Sequence, residues 1–387
     1  PGTYTLEASL IDTTTGKVSY CAQGVTIPGA ALPLDLVLEE GCSVSYALNG
    51  GAGTPPASRN VKKGTPITLP GGKGMTAPPG SGKAFLRWEA GGQTYQGGSS
   101  YTVTANVRFQ AQWGVFTTVA DVKAYLLQFN GQGTKANPLP VPVAILAGNG
   151  DTWADLLLAL QAEGEYVDLD LSSSTLDGMM TAKEFTPGTN NTGEKFVVCL
   201  TLPDTAESVP GGSGTTSSYD NNPPFRFFTV IREISGANIT TIKGRAFKGR
   251  TSLTSVSFPN VKTVNDRAFE NTRLSTLYLP EAETITWEAF MNCSSLKSVN
   301  LPALKTLTSH LFMSCPNLKS VSVPGLMTMN YNIFSGSGSY PTIITINGGV
   351  NFTDNSAIHH GFQDYYIGKD KAGGIYTYGQ LGWTGPF

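Results

Sequence analysis

The chain has 387 residues, with 26 Lys and Arg against 28 Asp and Glu, and only 14% of its residues are charged. Such a length predicts two or three domains, and the near-neutral charge leaves no strong field to hold nucleic acid or an anionic membrane. With 45 Gly, 24 Pro and 40% hydrophobic residues, the composition is that of an ordered, turn-rich, mostly β protein, while three His and five Cys without metal-ligand spacing argue against an enzyme and predict no cofactor.

No run approaches the ~18 apolar residues of a membrane span. The sequence opens at Pro1-Gly2 and passes directly into the alternating stretch Thr3–Ile11, as though an upstream segment had been removed. Further short strands are expected at Val18–Ala22, Val25–Ile27 and Leu34–Leu38. Residues 1–41 therefore read as part of a β-sandwich module, since forty residues are marginal as an independent fold. Cys21 and Cys42 are placed either to bridge two strands or to serve as small buried residues.

Residues 42–114 change in texture. Val44, Tyr46 and Leu48 alternate into Asn49-Gly50-Gly51, and short strands follow around Ile67, Phe85 to Trp88, Tyr101 to Val103 and Val107 to Trp113. The order Phe85, Trp88, Tyr95, Gly97, Tyr101, Val103, Phe109, Ala111, Trp113 resembles the small Listeria-Bacteroides β-grasp repeat found beside internalin repeats. That resemblance implies a surface spacer.

A helix is expected over Val115 to Asn130, where Thr118 and Asp121 form a capping-box-like start and Val119, Val122, Leu126 and Phe129 recur at helical spacing. After the Pro-rich stretch 137–142 comes an expected strand, Val143–Leu146. A second helix follows, capped by Asp151 or Thr152, with Trp153, Leu156, Leu157 and Leu160 on one side and a stop at Gly164. Residues 115–164 read as a helical cap at the start of a repeat array.

The strongest signal is internal repetition. Phe247, Phe269, Phe290, Phe312 and Phe334 lie 22, 21, 22 and 22 residues apart. Each closes one frame, shown by Leu253, Val256, Phe258, Pro259, Val261, Val264 and Ala268 before Phe269, and by Leu296, Val299, Leu301, Pro302, Leu304, Leu307 and Leu311 before Phe312. The apolar triplet reads as a short strand that Pro ends, because Pro cannot donate to a sheet ladder. One such turn cannot close a core by itself, so successive turns stack into a parallel-sheet solenoid. Weaker copies at Val167–Leu171, Val198–Leu202 and Ile231–Phe247 extend it backward, interrupted by an insertion at 210–224. Residues 165–347 form the expected solenoid, and 348–387 its expected C-terminal cap.

Units of 21 to 22 residues with L-x-x-V-x-[FL]-P and a closing Ala-Phe resemble the BspA-like leucine-rich repeats of bacterial cell-surface proteins. Ordinary leucine-rich repeats carry Asn or Cys three residues after the last strand Leu; here Val261, Ala282, Leu304 and Leu326 stand there. The resemblance implies display outside the bacterial cell, attachment to an extracellular protein or glycan, and no catalysis.

Two candidate binding surfaces emerge. Outward strand positions begin at Glu233 and Ser235 and continue through Ser255 and Ser257, Thr276 and Tyr278, Ser298 and Asn300, Ser320 and Ser322; the last eight are the candidate residues of a polar ladder with one aromatic, which reads either as a recognition face or as a solvated sheet face. Trp287, His310 and Tyr331 lie before the closing Phe and offer an alternative aromatic patch, or else pack against neighbouring turns. Cys293 and Cys315 share one repeat position and should stack about 5 Å apart; a disulfide is conceivable there, but parallel stacked side chains rarely reach its dihedral, so buried thiols are the favoured expectation. Asp168 with Asp170 reads as solvated surface, and His359-His360 lacks the spacing and acidic partners of a metal site.

Overall fold

A computed structural model describes residues 2–11, 18–27, 39–129, 131–147, 150–176, 184–185, 187, 193–212, 223–330, 332–337, 341–352, 369–379 and 382–387, with side chains from residue 41 onward except 146–147, 150–151, 176, 378–379 and 382. The expected strand Leu34–Leu38, Tyr331, His359-His360 and the middle of the 210–224 insertion lie outside the described residues. The chain divides into two compact units, one of residues 1–116 with 120–130, the other of residues 117–119 with 131–387.

In the first unit, Glu39–Ala47 runs parallel to Val107–Gly114, which pairs antiparallel with Ala84–Ala90. Gly2–Ile11 and Val18–Ile27 form a hairpin joined to the same sheet by pairing of Val18–Tyr20 with Glu39–Gly41. The first forty residues thus extend one sheet, where a separate sandwich module was expected. The core gathers Val44, Ile67, Leu69, Phe85, Trp88, Val103, Phe109 and Ala111. Buried Trp88 and half-buried Trp113 keep their indole N–H groups satisfied on the carbonyls of Pro70 (2.7 Å) and Leu48 (2.6 Å).

The first helix, expected over 115–130 in the cap of the array, is Val119–Leu126 and lies mainly in the first unit. Gln128, just beyond it, explains this placement. Its Oε1 accepts from the Gly72 amide at 3.1 Å, and a Cβ on Gly71 or Gly97 would stand 2.5 or 2.7 Å from that same oxygen. Glycine at both positions therefore lets the helix dock on the first unit.

The second unit is the solenoid. The first-strand column runs in parallel register through Leu139–Pro142, Val167–Asp170, Val197–Thr201, Glu233–Ser235 and Ser255–Ser257, then through Thr276–Tyr278, Ser298–Asn300, Ser320–Val323 and Ile343–Ile346. The strand expected at 143–146 lies earlier: the Pro-rich stretch before it is itself the edge strand, Leu139–Pro142. Leu139 and Val143 donate inward to Tyr166 and Asp170, while Pro140 and Pro142 occupy the alternating positions whose missing N–H groups would face the open edge. At the far end the hairpin Gly374–Gly379 and Gly382–Thr384 continues the sheet antiparallel, with Tyr376 and Trp383 buried.

Inside the coil, Phe247, Phe269, Phe290, Phe312 and Phe334 are buried and stack with ring centroids 5.2 to 5.9 Å apart. Two left-handed positions bracket each Phe. Arg245, Arg267, Glu288, His310 and Asn332 precede it by two residues; Gly249, Asn271, Asn292, Ser314 and Gly336 follow it by two. Three residues after Phe, Thr272, Cys293, Cys315 and Ser337 form a buried column. Cys293 and Cys315 donate to the carbonyls of Phe269 (3.2 Å) and Phe290 (3.1 Å). They are thiols, as expected. The hydrogen bond to Cys293, together with burial, pushes the Cys315 thiol up, so it stays protonated.

The first-strand sheet breaks once, between Ser255–Ser257 and Thr276–Tyr278. This is where the repeat shortens: five residues separate Phe269 from Leu274, whereas six separate Phe290 from Leu296. The chain crosses the step with Arg273 donating to Leu253 and Ser275 to Thr254, and Val256 beside it is only half-buried.

Candidate binding surfaces of the solenoid

The strand alternation sends Val299 and Val321 inward and leaves the flanking residues outward. Ser255, Ser257, Thr276, Tyr278 and Asn300 are exposed, and Ser298, Ser320 and Ser322 are half-buried. Register aligns Thr276, Ser298, Ser320 and Ile343 in one row, and Tyr278, Asn300, Ser322 and Thr345 in the next. Tyr278 has 60% of its surface in solvent. The eight expected residues therefore share one face, divided by the sheet break between Ser257 and Tyr278.

That face continues beyond the regular repeats. Asp168, Cys199, Glu233 and Ser255 lie in successive register, as do Asp170, Thr201, Ser235 and Ser257. Around them is a shallow depression of ≈ 180 Å³ lined by Asp168, Cys199, Thr201, Glu233, Ser235 and Ser255 among others. Cys199 and Thr201 were the part not singled out from sequence, although the alternation Val198, Leu200, Leu202 already places them outward. Asp168, expected as solvated, is half-buried.

The electrostatics of the depression are one-sided. Burial, then Asp170 and Glu233, push the Asp168 carboxyl above its ordinary value, with Arg232 opposing. The same burial raises the Cys199 thiol to about 11, helped by Asp168 and Glu233. At neutral pH this sulfur is protonated and a poor nucleophile. Arg232 divides its guanidinium among Glu233 Oε1 (3.3 Å), the Lys135 carbonyl (3.2 Å) and Cys199 Sγ (4.0 Å).

The alternative patch is built differently. Trp287 precedes its Phe by three residues and His310 by two, so they occupy different repeat positions. The structure still brings them together: Trp287 Nε1 donates to His310 Nδ1 at 3.1 Å, and the rings meet edge to face at 6.1 Å. The Arg267 guanidinium lies 5.0 Å from the Trp287 ring centre and bonds Glu288 Oε2 at 2.5 Å. Lys248 pairs with Glu270 at 2.9 Å. Trp287 remains 44% exposed.

Residues 228–340 match the BspA type leucine-rich repeat region in six copies. They are a BspA-type leucine-rich-repeat array. Among solved structures, the chain is similar to a leucine-rich repeat protein from Bacteroides ovatus, with 22% identity over 39% of this chain and 38% of that one and a TM-score of 0.32. It is also similar to a leucine rich cell surface protein from Faecalibacterium prausnitzii, with 13% identity over 41% of this chain and 75% of that one and a TM-score of 0.16. This chain thus spans well under half the length of the Bacteroides protein. No curated protein matches. Among the described residues, no helix is long and apolar enough to cross a membrane, and no group of three His, Cys, Asp or Glu could hold a metal ion.

Proposed function

We propose that this protein acts at the bacterial cell surface as an adhesion or binding protein, recognising an extracellular protein or glycan through the outward strand face of its BspA-type array, without catalysis. The observation that carries this reading is Tyr278, a large aromatic side chain left mostly in solvent at the head of a row of hydroxyl and amide side chains. Core packing requires nothing large there, whereas Tyr offers rigid, amphipathic contact area at low entropic cost. Immobilised protein screened against matrix proteins and glycans tests it, with Tyr278→Ala and Ser298→Arg alongside. Both substitutions should abolish the captured signal; capture unaffected by either one removes the strand face from the reading.

A second reading, a passive stalk or surface-layer spacer, draws on the unbroken Phe stack and on the first unit, which we read as a β-grasp spacer. It predicts no specific capture in that screen. It also predicts that the outward-face substitutions leave every property of the protein unchanged.

A further inference from the structure

The strand face differs in character from one end of the array to the other. At its start one guanidinium, Arg232, stands against three carboxylates, Asp168, Asp170 and Glu233. Lys135, whose carbonyl meets Arg232, turns its own ammonium over the Tyr166 ring at 5.5 Å. Asp170 Oδ1 accepts from the Ser172 amide at 2.9 Å. Asp168 and Glu233 flank Cys199 in register, and the small Cys side chain leaves the depression between two carboxylates about two strand spacings, ~10 Å, apart.

At its far end the face carries two exposed aliphatic side chains, each opposite a Thr: Ile343 faces Thr377, and Ile375 faces Thr345. Ile343 is 39% exposed and Ile375 42% exposed, on strands that pair with each other. Between the two ends the outward residues of the strands themselves are uncharged, with Tyr278 the single large one, and the exposed Lys297 and Lys319 stand just before the strands of Ser298 and Ser320. Five strand steps separate Glu233 from Ile343, about 24 Å at ~4.8 Å each. An extended peptide covers that distance in about seven residues.

Building on the proposed role of the strand face, we propose that its ligand is an extended polypeptide segment crossing the strands. A Lys or Arg side chain of that segment sits in the Asp168–Glu233 depression, and an apolar side chain about seven residues away rests on Ile343 and Ile375. A neutral glycan supplies no charge to offset the carboxylates and no aliphatic group for the far end. A cationic, partly apolar segment supplies both, and its ammonium or guanidinium relieves the like-charge crowding that Arg232 offsets only in part.

Fluorescence anisotropy of the full chain with labelled synthetic peptides tests this. One peptide carries Arg at one end and Leu at the other across a Gly-Ser-Asn spacer of matching length; a second replaces Arg by Glu, and a third replaces Leu by Ser. The Arg–Leu peptide should bind at least tenfold more tightly than either of the others and weaken with added salt. Asp168→Asn with Glu233→Gln should remove about tenfold of that affinity, and Glu233→Lys more, with unchanged circular dichroism confirming the fold. Equal binding of the Arg and Glu peptides, no binding of any peptide, or indifference to the double substitution overturns the proposal. The broader reading fails separately, when protein and glycan capture survives Tyr278→Ala. A glycan captured in a Tyr278-dependent way, beside silent peptides, leaves the strand face intact as a binding surface and eliminates the cationic segment.

Discussion

The strand face and the Phe-turn edge of the array are made from the same repeat, yet their side chains are organised in opposite ways. On the edge, charged residues bind one another from turn to turn: Lys248 with Glu270, Arg267 with Glu288, and Trp287 with both Arg267 and His310. On the strand face, among the described residues, no side-chain hydrogen bond or ion pair joins Ser255, Ser257, Thr276, Tyr278, Ser298, Asn300, Ser320 or Ser322 to a neighbour, and all eight are uncharged. The edge spends its chemistry on holding successive coils together. The face leaves its polar groups to water or to a partner, and this contrast is what supports the proposal of recognition on the face and rigidity on the edge.

The largest effect expected from a single substitution lies in the interior that both surfaces share. Phe290 is fully buried between Phe269 at 5.3 Å and Phe312 at 5.8 Å. Phe290→Ala should cost ~3–5 kcal/mol in denaturant unfolding, because it removes a ring and leaves a cavity. Since each coil contacts mainly its neighbours, the loss should also split the transition and melt the two sides of the gap separately. A single unchanged transition would mean that the coils are coupled through something other than the Phe stack.

The edge comes next. Arg267→Met keeps the length of the side chain but strands the Glu288 carboxylate, which is buried and bonded to Arg267 at 2.5 Å. The expected cost is about 1–3 kcal/mol, and intrinsic fluorescence should register the cation leaving the Trp287 ring. If stability holds while only the fluorescence moves, the edge network is as dispensable as the strand face and the contrast between the two surfaces disappears.

The repeat is the part of this molecule that its sequence states most openly, because one physical requirement recurs at a fixed interval. Leu253, Val256 and Phe258 alternate inward, Pro259 ends the strand, and Phe269 fills the coil. The left-handed column at Gly249, Asn271, Asn292, Ser314 and Gly336 was not read from the sequence, although Gly and Asn, which tolerate positive φ, hold four of its five places. The column at Arg245, Arg267, Glu288 and His310 could not be, because its residue types give no conformational hint. Nor did composition foretell that Pro140 and Pro142 belong to a strand; only an edge position makes that possible. The helix Val119–Leu126 was placed with the wrong unit because its apolar spacing says that one side is buried, but not against what. On the site side, the outward row from Ser255 to Ser322 followed from alternation alone. The depression required knowing that Asp168, Cys199 and Glu233 are register neighbours, although 31 residues separate the first two and 34 the last two.

The left-handed column gives a smaller and cleaner test. Gly249 has φ +74, and an added Cβ would meet nothing within 4 Å. Gly249→Ala therefore isolates backbone strain from packing, with an expected loss of ~1–2 kcal/mol. Gly249→Asn should recover part of it, since Asn already occupies this position at Asn271 and Asn292 with φ of 60 and 59. Equal losses for Ala and Asn would mean that the column is set by something other than the preferences of the residues in it.

The smallest change in stability is expected on the strand face, at Asp168, and its sign is what matters. Burial and the neighbouring carboxylates raise this carboxyl above its ordinary value in the folded protein. In the window between the unfolded and folded values, the folded state therefore binds more protons than the unfolded one. Its stability must fall as pH rises through that window. Above the window the folded state holds a carboxylate that the unfolded chain accommodates more easily, and below it both states are protonated and the penalty is gone. Asp168→Asn should accordingly leave thermal stability unchanged in acid and raise it slightly at neutral pH, the reverse of what Arg267→Met does on the edge. A neutral-pH loss on Asp168→Asn would show that Arg232 holds this carboxylate as firmly as Arg267 holds Glu288, and the strand face would then be stapled across its coils just as the edge is.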